Sequence, residues 1–189
     1  MVEQKIRSFL AVRLDDELIR EIGCFVEQIK ARNNHFRFIP SRNWHITLHF
    51  FGDLLESQID PLVKQLLVFA SQIKPFSISL KHLGGFPSLK QTRILWTGTG
   101  EGAENLISLK HDLDQELTRQ NFPIEIRPFH PHITIACAKE LKNCVFSDLE
   151  KNIEFKTLSQ VNKITLFRSQ LSSGGAEYEP IQNFAFLSI

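Results

Sequence analysis

Between Asp15 and Lys30, apolar residues recur at positions 18, 19, 22, 25, 26 and 29. Spacings of three and four follow the α-helical turn, so the stretch predicts an amphipathic helix of about five turns, with Asp15 or Asp16 as its cap. The same period predicts a helix in SQIDPLVKQLLVFASQ, opened by Ser57 with Pro61 in its first turn. A third is predicted over 103–120, with Leu106, Leu109, Leu113 and Leu117 along one side. Elsewhere the pattern shortens to runs of strand length: SFLAVRL (8–14), FRFI, HITLHF (45–50), FSISLKHL (76–83), RILWTG (93–98), IEIR (124–127), HITIA (132–136), VNKITLF (161–167) and FAFLSI (184–189). KNCVFSDLEKNIEF suggests a short helix, and SSGGAEY (172–178) a loop. Long helices mixed with adjacent strand pairs predict an α+β fold with antiparallel pairing, not a doubly wound parallel sheet. The order of elements repeats once, so the expected architecture is bilobal. Two pseudo-duplicated antiparallel sheet-and-helix lobes would form one domain over 1–189, with a cleft between them.

Two strands break the rule that a short apolar run is only core. His45, Thr47 and His49 alternate with Ile46, Leu48 and Phe50; His130, His132 and Thr134 alternate with Ile133 and Ile135. Side chains two apart share a strand face, so each run has an apolar back and a polar front. With seven histidines and eight threonines in 189 residues, about 0.3 His-x-Thr matches arise by chance. Two on look-alike strands point to chemistry. A pair of imidazoles can hold one proton donor and one acceptor near neutral pH. That suits a phosphodiester, whose nucleophile and leaving oxygen lie on opposite sides of phosphorus. Hydroxyls on the same face can steady the charge on its other oxygens.

Composition narrows the field. The chain is 42% hydrophobic and 23% charged with net charge +1, values of a folded domain without the basic excess of a duplex-wrapping protein. No apolar run has the length of a signal peptide or membrane span. Three cysteines without a CxxC pair read as reduced thiols, and the expected location is the cytoplasm. GTGEGA (98–103) fits a dinucleotide fingerprint formally, but it sits mid-chain in the wrong strand order, and no P-loop occurs.

The chain resembles the two-histidine phosphoesterases, and within them the RNA 2′,3′-cyclic phosphodiesterases once described as 2′-5′ RNA ligases. The resemblance lies in RSFLAVRL, NWHITLHFFGD, FPSLKQTRILWTG, RPFHPHITIA and FRSQLSSGGAEYEPIQNFAF. It implies a bilobal α+β fold, His45 and His132 as the catalytic pair, and Thr47 and Thr134 as phosphate-oxygen donors. It also implies hydrolysis of a cyclic phosphate to a 2′-phosphate without metal or cofactor. His132 is taken as the base and His45 as the acid. The expected substrates are RNA ends or cyclic nucleotides; no membrane and no obligate protein partner is expected, and the chain is taken as a monomer. Further contacts are expected from Trp44, His49, His130 and Arg93, with Ser169 and Tyr178 as weaker candidates. The chain departs from the family at Cys137, where many members carry an arginine; Lys139, Arg93, Arg127 or Arg168 could compensate. Alternatives are 2′-5′ ligation at the same site, a non-catalytic binder of RNA ends or nucleotides, and a zinc hydrolase built on the extra histidines.

Overall fold

A computed structural model describes residues 3–140, 152–172 and 175–187. In chain order the elements are β1 (Lys5–Arg13), α1 (Asp16–Lys30), β2 (Phe36–Phe38), β3 (His45–Leu55), α2 (Glu56–Ala70), β4 (Phe76–Ile78) and β5 (Leu80–Phe86). They continue with β6 (Ile94–Thr99), α3 (Ala103–Arg119), β7 (His132–Ala138), β8 (Ser159–Val161), β9 (Lys163–Ser172) and β10 (Gly175–Ala185). The fold is the expected α+β arrangement. One antiparallel sheet runs β10-β9-β1-β3-β7-β6-β5, with β2 also on β7, and β4 pairs with β8 apart from it. The two halves of the large sheet meet at a single residue pair, Ile46 with Ile133. Each half is therefore a lobe with its own strands, hinged on the two motif strands.

The apolar stripes of the helices find the back of this sheet. Leu18, Ile22, Val26 and Ile29 of α1, Leu62 and Leu66 of α2, and Leu106, Leu109, Leu113 and Leu117 of α3 share one core with Leu10, Val12, Ile46, Leu48, Leu95, Ile133, Ile135, Ile164 and Leu166. Each fully buried aliphatic side chain contributes about 1.5–3 kcal/mol relative to exposure. Among the described residues, the opposite face of the sheet carries no helix. Its apolar content in the first lobe is a small separate cluster of Phe9, Ala11 and Phe167, with Tyr178 against it. This uncovered front is where the polar faces of both motif strands look.

Several local expectations change. IEIR forms no strand: Ile126 is 95% exposed and Glu125 folds onto Arg127. SSGGAEY is largely strand, because β9 and β10 form a long hairpin from Ser172 and Gly175 onward. FSISLKHL breaks into two strands that serve different sheets. The second helix begins at Glu56, so Ser57 is not its cap. Gln58 Oε1 accepts the Leu55 N–H at 2.9 Å, and the Ser57 N–H donates to Glu3 Oε1 at 2.6 Å. That earlier start puts Pro61 in the second turn rather than the first. Asp15 stands at the α1 cap position, but its carboxylate accepts the Gln160 N–H at 2.6 Å instead of capping the helix. Most of the segment expected to hold a short helix lies outside the described residues.

A bulge changes the reading of β3. Ala11 pairs with Thr47 but Leu10 pairs with His49, so Leu48 is the extra residue. One inserted residue reverses the alternation beyond it. His49 thus turns to the helix side, 5% exposed and beside the Lys110–Asp114 ion pair of α3, while Phe50 turns to the front, 69% exposed. The second motif repeats the device. Trp96 pairs with Thr134 but Leu95 pairs with Ala136, leaving Ile135 as the extra residue and turning Cys137 to the front.

Burial holds the His49 imidazole down to about 4, with the Lys110 charge adding to the effect. Between pH 6.5 and 4 the unfolded chain takes up a proton that folded His49 refuses. Stability therefore falls as pH drops through that window, by at most roughly 3 kcal/mol for this residue, and the loss levels off below it. Urea melts from pH 7 to pH 4 should show a shallower decline for His49→Phe than for the native chain.

Candidate functional site

The site grows from the junction pair. Ile46 and Ile133 are both fully buried on the helix side, so their neighbours His45, Thr47, His132 and Thr134 face the front together. Around that pair the antiparallel register sets His45 level with Thr134 and Thr47 level with His132. The four side chains are related by an approximate two-fold axis through the isoleucines. Each histidine comes from one lobe and is faced by the other lobe's threonine.

Both imidazoles are clamped in the same way. The ring Nδ1 of His45 lies 2.6 Å from the carbonyl oxygen of Asn43, and Nδ1 of His132 lies 2.6 Å from that of His130. A carbonyl only accepts, so each Nδ1 carries a hydrogen and the neutral ring keeps its lone pair on Nε2. Nε2 of His45 meets the Thr47 hydroxyl at 3.0 Å. Asn43 is itself anchored, its side-chain amide donating to the Ala176 carbonyl at 2.7 Å, which ties the β9–β10 hairpin to the His45 clamp.

Aromatic rings wall both sides. Phe9 and Tyr178 have centroids 4.9 and 5.3 Å from His45, and Phe86 and Trp96 lie 5.3 and 5.8 Å from His132. Trp96 can lie this close because Gly84 beneath it has no Cβ. The rings displace water, and desolvation is the main reason that both histidines are less basic than usual. His45 falls to about 4, with the His132 and Arg13 charges adding to the loss and the Asn43 carbonyl opposing it; His132 is lowered against the pull of its own carbonyl partner. At neutral pH both imidazoles are therefore neutral.

The other expected contacts divide. Trp44 is 4% exposed and belongs to the core, and His49 is turned away by the bulge, so neither reaches the front. Arg93 is exposed, but its neighbour Ile94 pairs with front-facing Cys137, so alternation directs Arg93 away. His130 is exposed, precedes the strand, and holds His132 through its backbone. Tyr178 and Ser169 are cross-strand partners on the front. Of the arginines weighed against the departure at Cys137, Arg168 is Glu179's partner at 3.9 Å and Arg127 is engaged by Glu125.

The residue that sequence reasoning missed is Arg37. On β2 it is the register partner of Cys137, exposed and front-facing, since Phe36 and Phe38 on either side pack into the core. Burial raises the Cys137 thiol, and the Arg37 charge opposes that rise. The alternation FRF was the available signal, but nothing in the sequence linked it to a strand a hundred positions away. Among the described residues no group of three His, Cys, Asp or Glu side chains is placed to hold a metal ion, and no helix is long and apolar enough to cross a membrane.

A family model described as LigT-like phosphoesterase matches residues 12–96 and again 98–178, one motif strand in each stretch. An RNA 2′,3′-cyclic phosphodiesterase of Methanothermobacter thermautotrophicus is 30% identical over 185 residues, spanning 95% of this chain and 98% of that protein. One from Aquifex aeolicus is 33% identical over 152 residues, 78% of this chain and 80% of its own. Among solved structures, TT0787 of Thermus thermophilus superposes with a TM-score of 0.82 at 23% identity, covering 95% of this chain and 97% of its own, which speaks to the fold. E. coli LigT, solved with 3′-AMP, superposes with a TM-score of 0.75 at 25% identity, covering 97% and 99%. Matched along both lobes, each with its own histidine–threonine strand, the chain belongs to the LigT-like phosphoesterase family and is an enzyme of that kind.

Proposed function

We propose that this enzyme is a cytosolic RNA 2′,3′-cyclic phosphodiesterase that opens the cyclic phosphate at an RNA 3′ end by metal-independent catalysis between His45 and His132. The observation that carries the reading is the matched pair of carbonyl clamps. Each fixes Nδ1–H and leaves Nε2 for the groove, and a two-fold axis between them suits a reaction with entry and departure on opposite sides of one phosphorus. The names of the curated relatives and the LigT complex with 3′-AMP support the same substrate class.

In the proposed step, Nε2 of His132 takes a proton from water as the water oxygen bonds to phosphorus. The P–O3′ bond breaks, and Nε2–H of His45 gives its proton to O3′, leaving a 2′-phosphate and a 3′-hydroxyl. His132 suits the base because its Nε2 has no hydrogen-bond partner among the described residues, whereas Nε2 of His45 is already engaged by Thr47. His45 starts neutral, so it must gain its proton as the anionic phosphate enters; that anion raises the affinity of both rings for protons. The hydroxyls of Thr47 and Thr134 donate to the nonbridging oxygens. Arg37 supplies a cation at the edge of the second lobe, where the motif itself ends in Cys137.

The direct test supplies 2′,3′-cyclic AMP in excess EDTA and follows the product by phosphorus NMR. Adenosine 2′-phosphate is the expected product. A chelator-abolished reaction, or exclusive 3′-phosphate, would defeat the reading. Joining of RNA halves with cyclic-phosphate and 5′-hydroxyl ends would place ligation beside hydrolysis.

The pH dependence has a definite sign. Both rings are depressed in the free enzyme, so the bell of kcat/KM should centre below pH 6.5; the bound phosphate raises both, so the kcat bell should centre higher. Coincident profiles would show that substrate charge does not reach the histidines.

A further inference from the structure

Beyond His45 the front face of the first lobe continues into a polar hollow of about 400 Å³ lined by Arg13, Leu14, Asp15, Asp16, Gln160, Asn162, Lys163, Pro180 and Asn183. Register shows that it shares the catalytic face. Arg13 is the cross-strand partner of His45, and its charge is felt by that ring. Asn183 pairs with Thr165 and Pro180 with Phe167, both of which sit across β1 from front-facing Ala11 and Phe9. Lys163, two residues before Thr165, faces the same way.

The lining has two signs. Arg13 and Lys163 are exposed and have no carboxylate partner among the described residues, whereas Arg168, Arg127 and Arg119 all do. Asp15 is already engaged by the Gln160 N–H, and the Asn183 side-chain oxygen by the Thr165 hydroxyl, which leaves the Asn183 amide hydrogens for a ligand. Asp16 and Asn162 complete the wall. A free phosphate gains little from a hollow that also holds carboxylates. A nucleotide fits both signs: its phosphodiester meets the cations, and the amino and imino edges of its base meet Asp16 and the amides. The volume is that of a small-ligand site.

Resting on the phosphodiesterase reading above, we infer that this hollow is the subsite for the nucleotide that precedes the one carrying the cyclic phosphate, so that the preferred substrate is the end of an RNA strand and not a free cyclic nucleotide. Arg13 bridges the two positions. Neither Lys163 nor Asn162 has a part in the catalytic step.

The test compares kcat/KM for 2′,3′-cyclic AMP with that for a dinucleotide ending in a 2′,3′-cyclic phosphate, in the native enzyme and in Lys163→Glu. The native enzyme should favour the dinucleotide about tenfold, with a KM that climbs more steeply with salt than that of the mononucleotide. Lys163→Glu should erase most of that preference and leave the mononucleotide unchanged. Equal use of both substrates by the native enzyme, or an equal loss on both in the variant, would overturn the subsite while leaving the phosphodiesterase reading intact. No turnover of either substrate would overturn that reading and the subsite with it.

Discussion

His45→Ala and His132→Ala should each lower kcat by about a thousandfold, and the double variant should be little worse than either one. In the proposed mechanism the two rings serve the two ends of one displacement, so loss of either leaves the other without a complete reaction to assist. A substrate with sulfur in place of the bridging 3′-oxygen separates their roles, because a thiolate leaves without help from an acid. That substrate should restore most of the rate to His45→Ala and little to His132→Ala. Rescue of His132→Ala instead would exchange the acid and the base. Native-like turnover in both variants would remove the histidines from the mechanism. Neither substitution should unfold the protein, since both rings border the groove and the buried partners of their strands, Ile46 and Ile133, are untouched.

Gly84→Ala should be the most damaging single methyl group near the site. A Cβ on Gly84 would run into three atoms of the Trp96 indole, far inside van der Waals distance. The indole is held between Phe86 and His82 and stands 5.8 Å from His132, so its displacement moves the wall that desolvates the imidazole. Overpacking of this kind costs about 1–3 kcal/mol, or roughly 3–10 °C in Tm for a chain of this size. kcat/KM should fall at least tenfold, with the pH optimum moving upward as water reaches His132. Gly23→Ala is the control: it lies in α1 with no atom near the new methyl, so helix propensity should raise stability by up to about 1 kcal/mol. Full activity in a destabilised Gly84→Ala would mean that Trp96 does not set the environment of His132.

The helices were legible because their stripes are long. Four apolar residues of α1 and four leucines of α3 repeat over more than three turns, and no other structure buries such a stripe. Where the signal is shorter than the element, tertiary contacts decided. IEIR has strand-like residues but pairs with no strand among the described residues, and stays exposed. GAEY looks like a loop but is carried into a strand by its long partner β9. Ser57 had the chemistry of a cap, yet Gln58 took the work from one position further on.

At the site, the sequence by itself determined which side chains the proposed chemistry uses: two look-alike His-x-Thr strands with apolar backs, at positions 45–47 and 132–134. Those residues lie before each bulge, where strict alternation still holds. Past the bulges alternation fails, which is why His49 was expected in the groove and lies under α3, and why Phe50 was expected in the core and lies in the open. Only the tertiary structure decided that Ile46 meets Ile133, that carbonyls of Asn43 and His130 fix the tautomers, that Arg37 stands beside Cys137, and that Arg13 leads to a hollow. The physical reason is common to all four. Side-chain direction is a local property of a strand, whereas register between strands far apart in sequence is settled by the packing of the whole core.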